Sequence, residues 1–254
     1  MLKINIYAGT DRGKVRANNQ DSICFNQFDK KSQVLALVAD GVGGHAGGEV
    51  ASQLAVDTIE EYFRKSLLLV HSGAGYTDNW LPQNIEKSIQ LANQKIKQQQ
   101  LEDTGLSSMA TTLVMLVVID DMVGFSCLGD SRLYGWRDKH LTQLSKDQTV
   151  AQQMLDEGTL TEAQAKISPY HHVLTNGLGI KNDITIKVSD LIINNSDMYL
   201  LCSDGLTNCL TDNAIADILS TELQLKDKVE ELIAAANDNG GQDNISVVLL
   251  QCEE

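Results

Sequence analysis

Val34-Leu35-Ala36-Leu37-Val38-Ala39 runs without a polar residue and stops abruptly at Asp40-Gly41. An apolar run this short, bounded by a glycine-rich loop, reads as a strand buried on both faces. Such a strand demands a layer of packing above it and another beneath it. The pattern returns at Leu113–Ile119, Met122–Leu128, Tyr199–Cys202 and Ile245–Leu250. Asp40-Gly41 itself has two readings. It is a turn signal, or it is a pair of metal donors, a hard carboxylate beside a carbonyl that no side chain shields.

The remaining pattern places these strands in an α+β fold. Strands are expected over residues 3–9, 22–28, 33–39, 113–119, 122–128, 133–136, 184–188, 197–203 and 244–251. A helix is expected over 48–65, where Val50, Leu54, Ala55, Ile59, Tyr62 and Phe63 recur at helical spacing. Residues 66–81 read as a loop. Pro82 opens a second helix with Ile85, Ile89, Ala92 and Ile96 on one face. Residues 146–168 carry few large apolar side chains and read as a surface flap, with a short helix at Val150–Leu155 and another capped by Thr161. Helices at 211–220 and 225–237 precede the last strand. Helix pairs set between groups of short, closely spaced strands indicate antiparallel sheets flanked by helices. No linker or repeat divides residues 1–254, so one domain is expected.

A formal net charge of −14 argues against a general phosphate-backbone partner, so no nucleic acid is expected. It does not oppose a phosphorylated substrate, because bound cations can invert the local sign. The cysteines Cys24, Cys127, Cys202, Cys209 and Cys252 are odd in number, scattered and without a Cys-x-x-Cys pair. That pattern favours free thiols in a cytoplasmic protein. The start of the chain lacks a sustained apolar leader, and Leu67-Leu68-Leu69-Val70 is too short to span a bilayer. No membrane association is expected.

Aspartates recur at strand ends. Asp40, Asp130 and Asp204 follow apolar runs, and Asp243 precedes one. In antiparallel pairs the end of one strand lies beside the start of its neighbour, so these residues can share one edge. Four carboxylates in one volume repel unless cations intervene. Oxygen-only ligands suit Mg²⁺ or Mn²⁺ rather than zinc or copper. Arg16 lies in a polar loop before a strand, and its planar fork suits a phosphate.

In order along the chain, these residues resemble the metal-dependent protein phosphatases, the type-2C serine/threonine phosphatases, in their compact bacterial form. Thr10-Asp11-Arg12-Gly13-Lys14-Val15-Arg16-Ala17-Asn18-Asn19-Gln20-Asp21 is similar to the family's opening phosphate-binding motif. Val38-Ala39-Asp40-Gly41-Val42-Gly43-Gly44-His45 resembles its metal-bridging motif. Met109-Ala110-Thr111-Thr112, Leu128-Gly129-Asp130-Ser131-Arg132, Leu201-Cys202-Ser203-Asp204-Gly205-Leu206 and Gly240-Gly241-Gln242-Asp243-Asn244 resemble the later ones.

The resemblance implies two stacked antiparallel β-sheets, a β-sandwich flanked by helix pairs in α-β-β-α layers. It implies that Asp40 bridges two ions, Mn²⁺ or Mg²⁺, with the Gly41 carbonyl, Asp204 and Asp243 nearby. Asp130 would serve a third, weaker ion. Asp21 would act through water, and Arg16 would hold phosphoryl oxygens. Residues 146–172 match a variable flap, and His172 and His45 fall at positions expected to meet substrate. The sequence departs from the family at Val42, where the eukaryotic branch has a histidine, at Ala110, where glycine is usual, and at Gln148, where histidine is common.

The leading expectation is a cytoplasmic, monomeric enzyme that hydrolyses phosphoserine and phosphothreonine in proteins. Water held between two ions would attack phosphorus directly. Its partners would be phosphorylated proteins, among them a serine/threonine kinase and that kinase's substrates. Two other readings are weighed beside it. One is a non-catalytic module of the same fold that binds phosphorylated partners. The other is a phosphatase of small metabolites.

Overall fold

The computed structural model describes residues 3–28, 32–43, 47–71, 75–77 and 79–253. Its strands, all antiparallel in their pairings, form two sheets. One is ordered β1-β11-β10-β7-β8, built from β1 (Lys3–Asp11), β11 (Ile245–Glu253), β10 (Met198–Cys202), β7 (Arg132–Arg137) and β8 (His140–Gln143). The other is ordered β2-β3-β5-β6-β9, from β2 (Asp21–Gln27), β3 (Gln33–Val42), β5 (Leu113–Ile119), β6 (Met122–Leu128) and β9 (Val188–Asp190). The short β4 (Ala110–Thr111) pairs with the end of β3.

The alternation of side chains along each strand explains the unbroken apolar runs. Along β3, Leu35, Leu37 and Ala39 join a core shared with helices, whereas Val34, Ala36 and Val38 join the core between the sheets. On β11, Val248 and Leu250 face the other sheet, and Val247 and Leu249 pack beneath a second helix layer. The strands are thus apolar on both faces although the sheets are antiparallel. The α-β-β-α layering expected from the resemblance is the observed one.

Helix α1 (Gly47–Leu69) buries Ala51, Ala55, Ile59, Phe63 and Leu67, and α2 (Trp80–Glu102) buries Ile85, Ile89, Ala92 and Ile96 on the same core. On the far face, α6 (Asp212–Leu219) and α7 (Leu225–Asp238) bury Ile215, Leu219, Val229 and Leu232. The flap carries α3 (Val150–Asp156) and α4 (Glu162–Lys166). As expected, Thr161 caps α4, in a reciprocal box with Gln164.

Two expectations need correction, and one of the two readings of Asp40-Gly41 falls away. Residues 66–69 continue α1, because Leu67 still reaches the core while Leu68 and Leu69 face outward. Residues 184–187 do not pair; only Val188–Asp190 lies beside β6, although Ile184 and Ile186 pack on the core. Asp40-Gly41 is not a turn. It lies inside β3, where Asp40 pairs with Asp21 and Gly41 with Thr111.

Candidate metal and phosphate site

Each aspartate arrives from a different element, and the sheets divide them. Asp21 opens β2 and Asp40 sits near the end of β3, so these two belong to one sheet, whereas Asp130 lies in the crossing from β6 of that sheet to β7 of the other. Asp204 opens the short helix α5 (Asp204–Thr207) after β10, and Asp243 precedes β11, so these belong to the other. The site is therefore a seam between the ends of two sheets.

Local packing keeps this seam tight. A Cβ on Gly41 would lie 2.2 Å from the Gly48 carbonyl oxygen, and one on Gly205 would lie 2.0 Å from that of Asn244. Only glycine allows the backbones such an approach. Thr112 Oγ1 accepts from the Asp40 N–H at 2.9 Å, and Thr111 Oγ1 donates to the Asp40 carbonyl at 2.8 Å. Both threonines are fully buried, so Asp40 is fixed through its backbone and its carboxylate is left for other duty.

The electrostatics show the convergence. Asp40 is held well above the ordinary carboxylate range by loss of solvent, then by repulsion from Asp21, Asp204, Asp130 and Asp243 in turn. Burial pushes Asp21 up to about 7 against the opposing hydrogen bonds of Ser246 and Ser203, with Asp204 and Asp243 adding repulsion. Burial and then Asp204 and Asp147 push Asp130 up to about 8. Asp204 is raised by burial and by Asp243.

Protein donors occupy only part of this cluster. Ser203 Oγ donates to Asp21 Oδ2 at 2.7 Å, Asn208 Nδ2 to Asp204 Oδ2 at 3.0 Å, and Arg16 to Asp243 Oδ2 at 2.7 Å. Among the described residues, Asp21 Oδ1 and Asp204 Oδ1 are buried without a hydrogen-bond donor. Among the described residues, no three Asp, Glu, His or Cys side chains are gathered closely enough to hold a metal ion as they stand. The donor chemistry nonetheless fits divalent cations. Orphan carboxylate oxygens and mutual repulsion are the costs that bound positive charge removes.

Arg16 reaches the seam through Asp243, and its side chain stays about half exposed. Asn244 organises its loop. The Asn244 amide donates to the Arg12 and Asn18 carbonyls at 2.9 Å each and accepts from the Gln20 N–H at 2.8 Å. Sequence reasoning quoted Asn244 and Ser203 within motifs and gave neither a role. Their burial against backbone loops has no signature in residue spacing. His172 is exposed on the flap and stacks edge-on against His171. Among the described residues no hydrogen bond or ion pair joins it to the carboxylates. His45 lies outside the described residues. Gln148, where histidine is common, bridges the flap to the Asp130 loop.

The chain belongs to the protein phosphatase 2C family, whose model matches residues 8–249. It is 33% identical over 243 residues to the serine/threonine phosphatase stp of Listeria monocytogenes, covering 95% of this chain and 93% of that protein. Its fold is similar to the Mycobacterium tuberculosis serine/threonine phosphatase PstP/Ppp, with TM-score 0.84, 32% identity and 99% of each chain covered. A structure of the PstP catalytic domain in complex with two manganese ions matches with TM-score 0.81, 32% identity and complete coverage of both chains.

Proposed function

We propose that this protein is a metal-dependent serine/threonine phosphatase acting on phosphorylated proteins, with the sheet-end seam as its active site. The observation that carries the reading is the convergence of five aspartates from both sheets, with buried oxygens on Asp21 and Asp204 that lack donors among the described residues. Asp40, the Gly41 carbonyl, Asp204 and Asp243 would hold two ions, Mn²⁺ or Mg²⁺, and Asp130 a third, weaker one. Bound cations supply Lewis-acid charge and lower the pKa of water.

The chain's own residues do the rest. Arg16 turns from Asp243 to the phosphoryl oxygens and orients them with its planar fork. Asp21, steadied by Ser203, orients water with its second oxygen. Pre-set charge and positioning carry most of the rate in such a transfer. Val42, 44% exposed beside Gly41, has no proton to give the leaving alkoxide.

Retention of every carboxylate and of Arg16 weighs against a non-catalytic binding module. The flap over 146–172 frames the substrate side, with His172 and His45 as substrate contacts. A serine/threonine kinase and its substrates are the proposed partners of a monomeric, cytoplasmic enzyme built as one domain. Among the described residues no helix is long and apolar enough to cross a membrane.

Hydrolysis of a phosphothreonine peptide with Mn²⁺ tests the reading. It is expected to vanish with EDTA and to return with added metal. Undiminished turnover in EDTA contradicts it. Faster turnover of sugar phosphates than of phosphopeptides would instead identify a metabolite phosphatase.

A further inference from the structure

The flap leaves the sheet at Asp147, which is clamped by the Arg132 fork at 2.9 and 2.7 Å and by Gln143 at 3.0 Å. The next residue, Gln148, uses every polar group it has. Its N–H donates to the Gly129 carbonyl at 2.8 Å, and its carbonyl accepts from the Thr175 N–H at 2.8 Å. Its side-chain Nε2 donates to the Cys127 carbonyl at 3.0 Å. Its Oε1 accepts from Asn176 Nδ2 at 2.8 Å and from the Gly129 N–H at 3.3 Å. One side chain thus holds the residue before Asp130, the strand leading to it and the returning leg of the flap.

The loop it grips has little slack. Gly129 has φ +96°, and a Cβ there would lie 2.7 Å from the Thr112 methyl group. Thr112 in turn holds the Asp40 N–H and shares a 2.7 Å hydrogen bond with Ser131. The flap's exit is fixed as well, since Asn93 accepts from the Gly179 N–H at 2.8 Å and Gln100 donates to the Gly179 carbonyl at 2.9 Å. A shift of the flap between these anchors is passed to Gly129 and Asp130 through Gln148, because neither neighbour can absorb it. The two legs of the flap are already joined by backbone bonds from the Thr175 N–H to the Gln148 carbonyl and from the Val150 N–H to the Val173 carbonyl, so closing the flap does not need the Gln148 side chain. The backbone N–H of Gln148 already joins the flap to Gly129, and the side-chain bonds to the Gly129 N–H and the Cys127 carbonyl fix the distance and angle of that join.

We propose that Gln148 is a positioning residue that couples the flap to Asp130, so that substrate held by the flap and a cation held by Asp130 each strengthen the other. Coupling of this kind is reciprocal. The proposal rests on the reading of Asp130 as a cation ligand.

The test uses the full chain stripped with EDTA and titrated with Mn²⁺ by calorimetry, as wild type, Gln148→Leu, Asn176→Leu and Asp130→Asn. Melting temperature serves as the folding control. Asp130→Asn is expected to abolish the weakest binding event. Gln148→Leu is expected to weaken that event about 10- to 100-fold, the usual cost of losing a residue that orients a ligand, and to leave the tighter events in place. It should also raise KM for a phosphothreonine peptide more than KM for p-nitrophenyl phosphate, with kcat changed less. Asn176→Leu should reproduce the pattern at smaller size, and it carries the test if Gln148→Leu does not fold.

The coupling is overturned if Asn176→Leu and a folded Gln148→Leu leave the weakest event unchanged while Asp130→Asn removes it. If Asp130→Asn also leaves the isotherm unchanged, the assignment of Asp130 is wrong and the coupling falls with it.

Discussion

Strand β10 has an aspartate at each end, and the protein treats the two in opposite ways. At the entry, Asp197 is 3% exposed, yet its carboxylate is fully supplied. Arg137 donates at 2.9 and 2.6 Å, the Tyr199 hydroxyl at 3.0 Å and the Asn194 N–H at 2.7 Å. Burial pushes Asp197 up, but Arg137, Asn194 and Tyr199 outweigh it and leave the group below the ordinary range. At the exit, Asp204 is raised by burial and by Asp243 against weaker opposing hydrogen bonds from Asp40 and Asn208, and among the described residues no neutral or cationic donor reaches its Oδ1. The same sheet can therefore neutralise a buried acid, and at one end it does not. The proposed cations would supply the countercharge that is withheld there.

The sharpest way to break this contrast is to neutralise one acid of the seam and the acid at the entry of β10. Asp40→Asn is expected to lower kcat/KM for a phosphopeptide by about 1,000-fold, the scale of losing a pre-set electrostatic element, with the circular dichroism spectrum kept. Asp197→Asn should leave kcat/KM near wild type. Comparable losses from the two substitutions would erase the distinction.

Metal and pH separate the seam from Asp197 next. Asp21 and Asp130 sit at about 7 and about 8 against an ordinary 3.8. The metal-free folded state therefore holds protons that the unfolded chain has released. In that window stability falls as pH rises. Asp197 has the opposite sign, since its lowered pKa contributes stability above the ordinary carboxylate range that is lost on acidification. The melting temperature of metal-free protein should drop from about pH 5 to about pH 8, and the Asp21→Asn/Asp130→Asn double variant should flatten that slope. Mn²⁺ at about 100 times its Kd should add about 2.7 kcal/mol. A melting curve indifferent to Mn²⁺ would contradict the site.

Asp197→Ala should cost about 2 kcal/mol, the range of hydrogen bonds to a charged group, or roughly 4–8 °C for a chain of this size. Denaturant melts check it. The smallest effect is expected from Arg16→Ala, with KM for phosphopeptide raised about tenfold and kcat changed less, as loss of one exposed charge-assisted contact implies. A larger change in kcat than in KM would move Arg16 from substrate binding into the chemical step.

Much of this was legible in the residues alone. The apolar runs that end before Asp40, Asp130 and Asp204 and the one that begins after Asp243 put carboxylates at strand ends, and antiparallel pairing offered them a common edge. The partition was not legible, because nothing in the spacing says that Asp40 and Asp204 lie in different sheets. Asp40-Gly41 carries a turn signal, and only pairing with Asp21 and Thr111 keeps it extended. The end of α1 was hidden because Leu67-Leu68-Leu69-Val70 is apolar all round, whereas only Leu67 among the leucines is buried. Residues 184–188 alternate as a strand should, but a strand needs a partner, and β6 offers one only from Val188. Asn244 and Ser203 act by bonding to loops distant in sequence, so their work appears only once the fold is in hand.

A crystal grown with Mn²⁺ and measured at the manganese absorption edge tests the central claim most directly. Anomalous peaks are expected at the seam between the sheets, within ligand distance of Asp40, Asp204 and Asp243, with Arg16 released from Asp243. Peaks only elsewhere on the surface, with the aspartates still leaning on Ser203, Asn208 and Arg16, would contradict it.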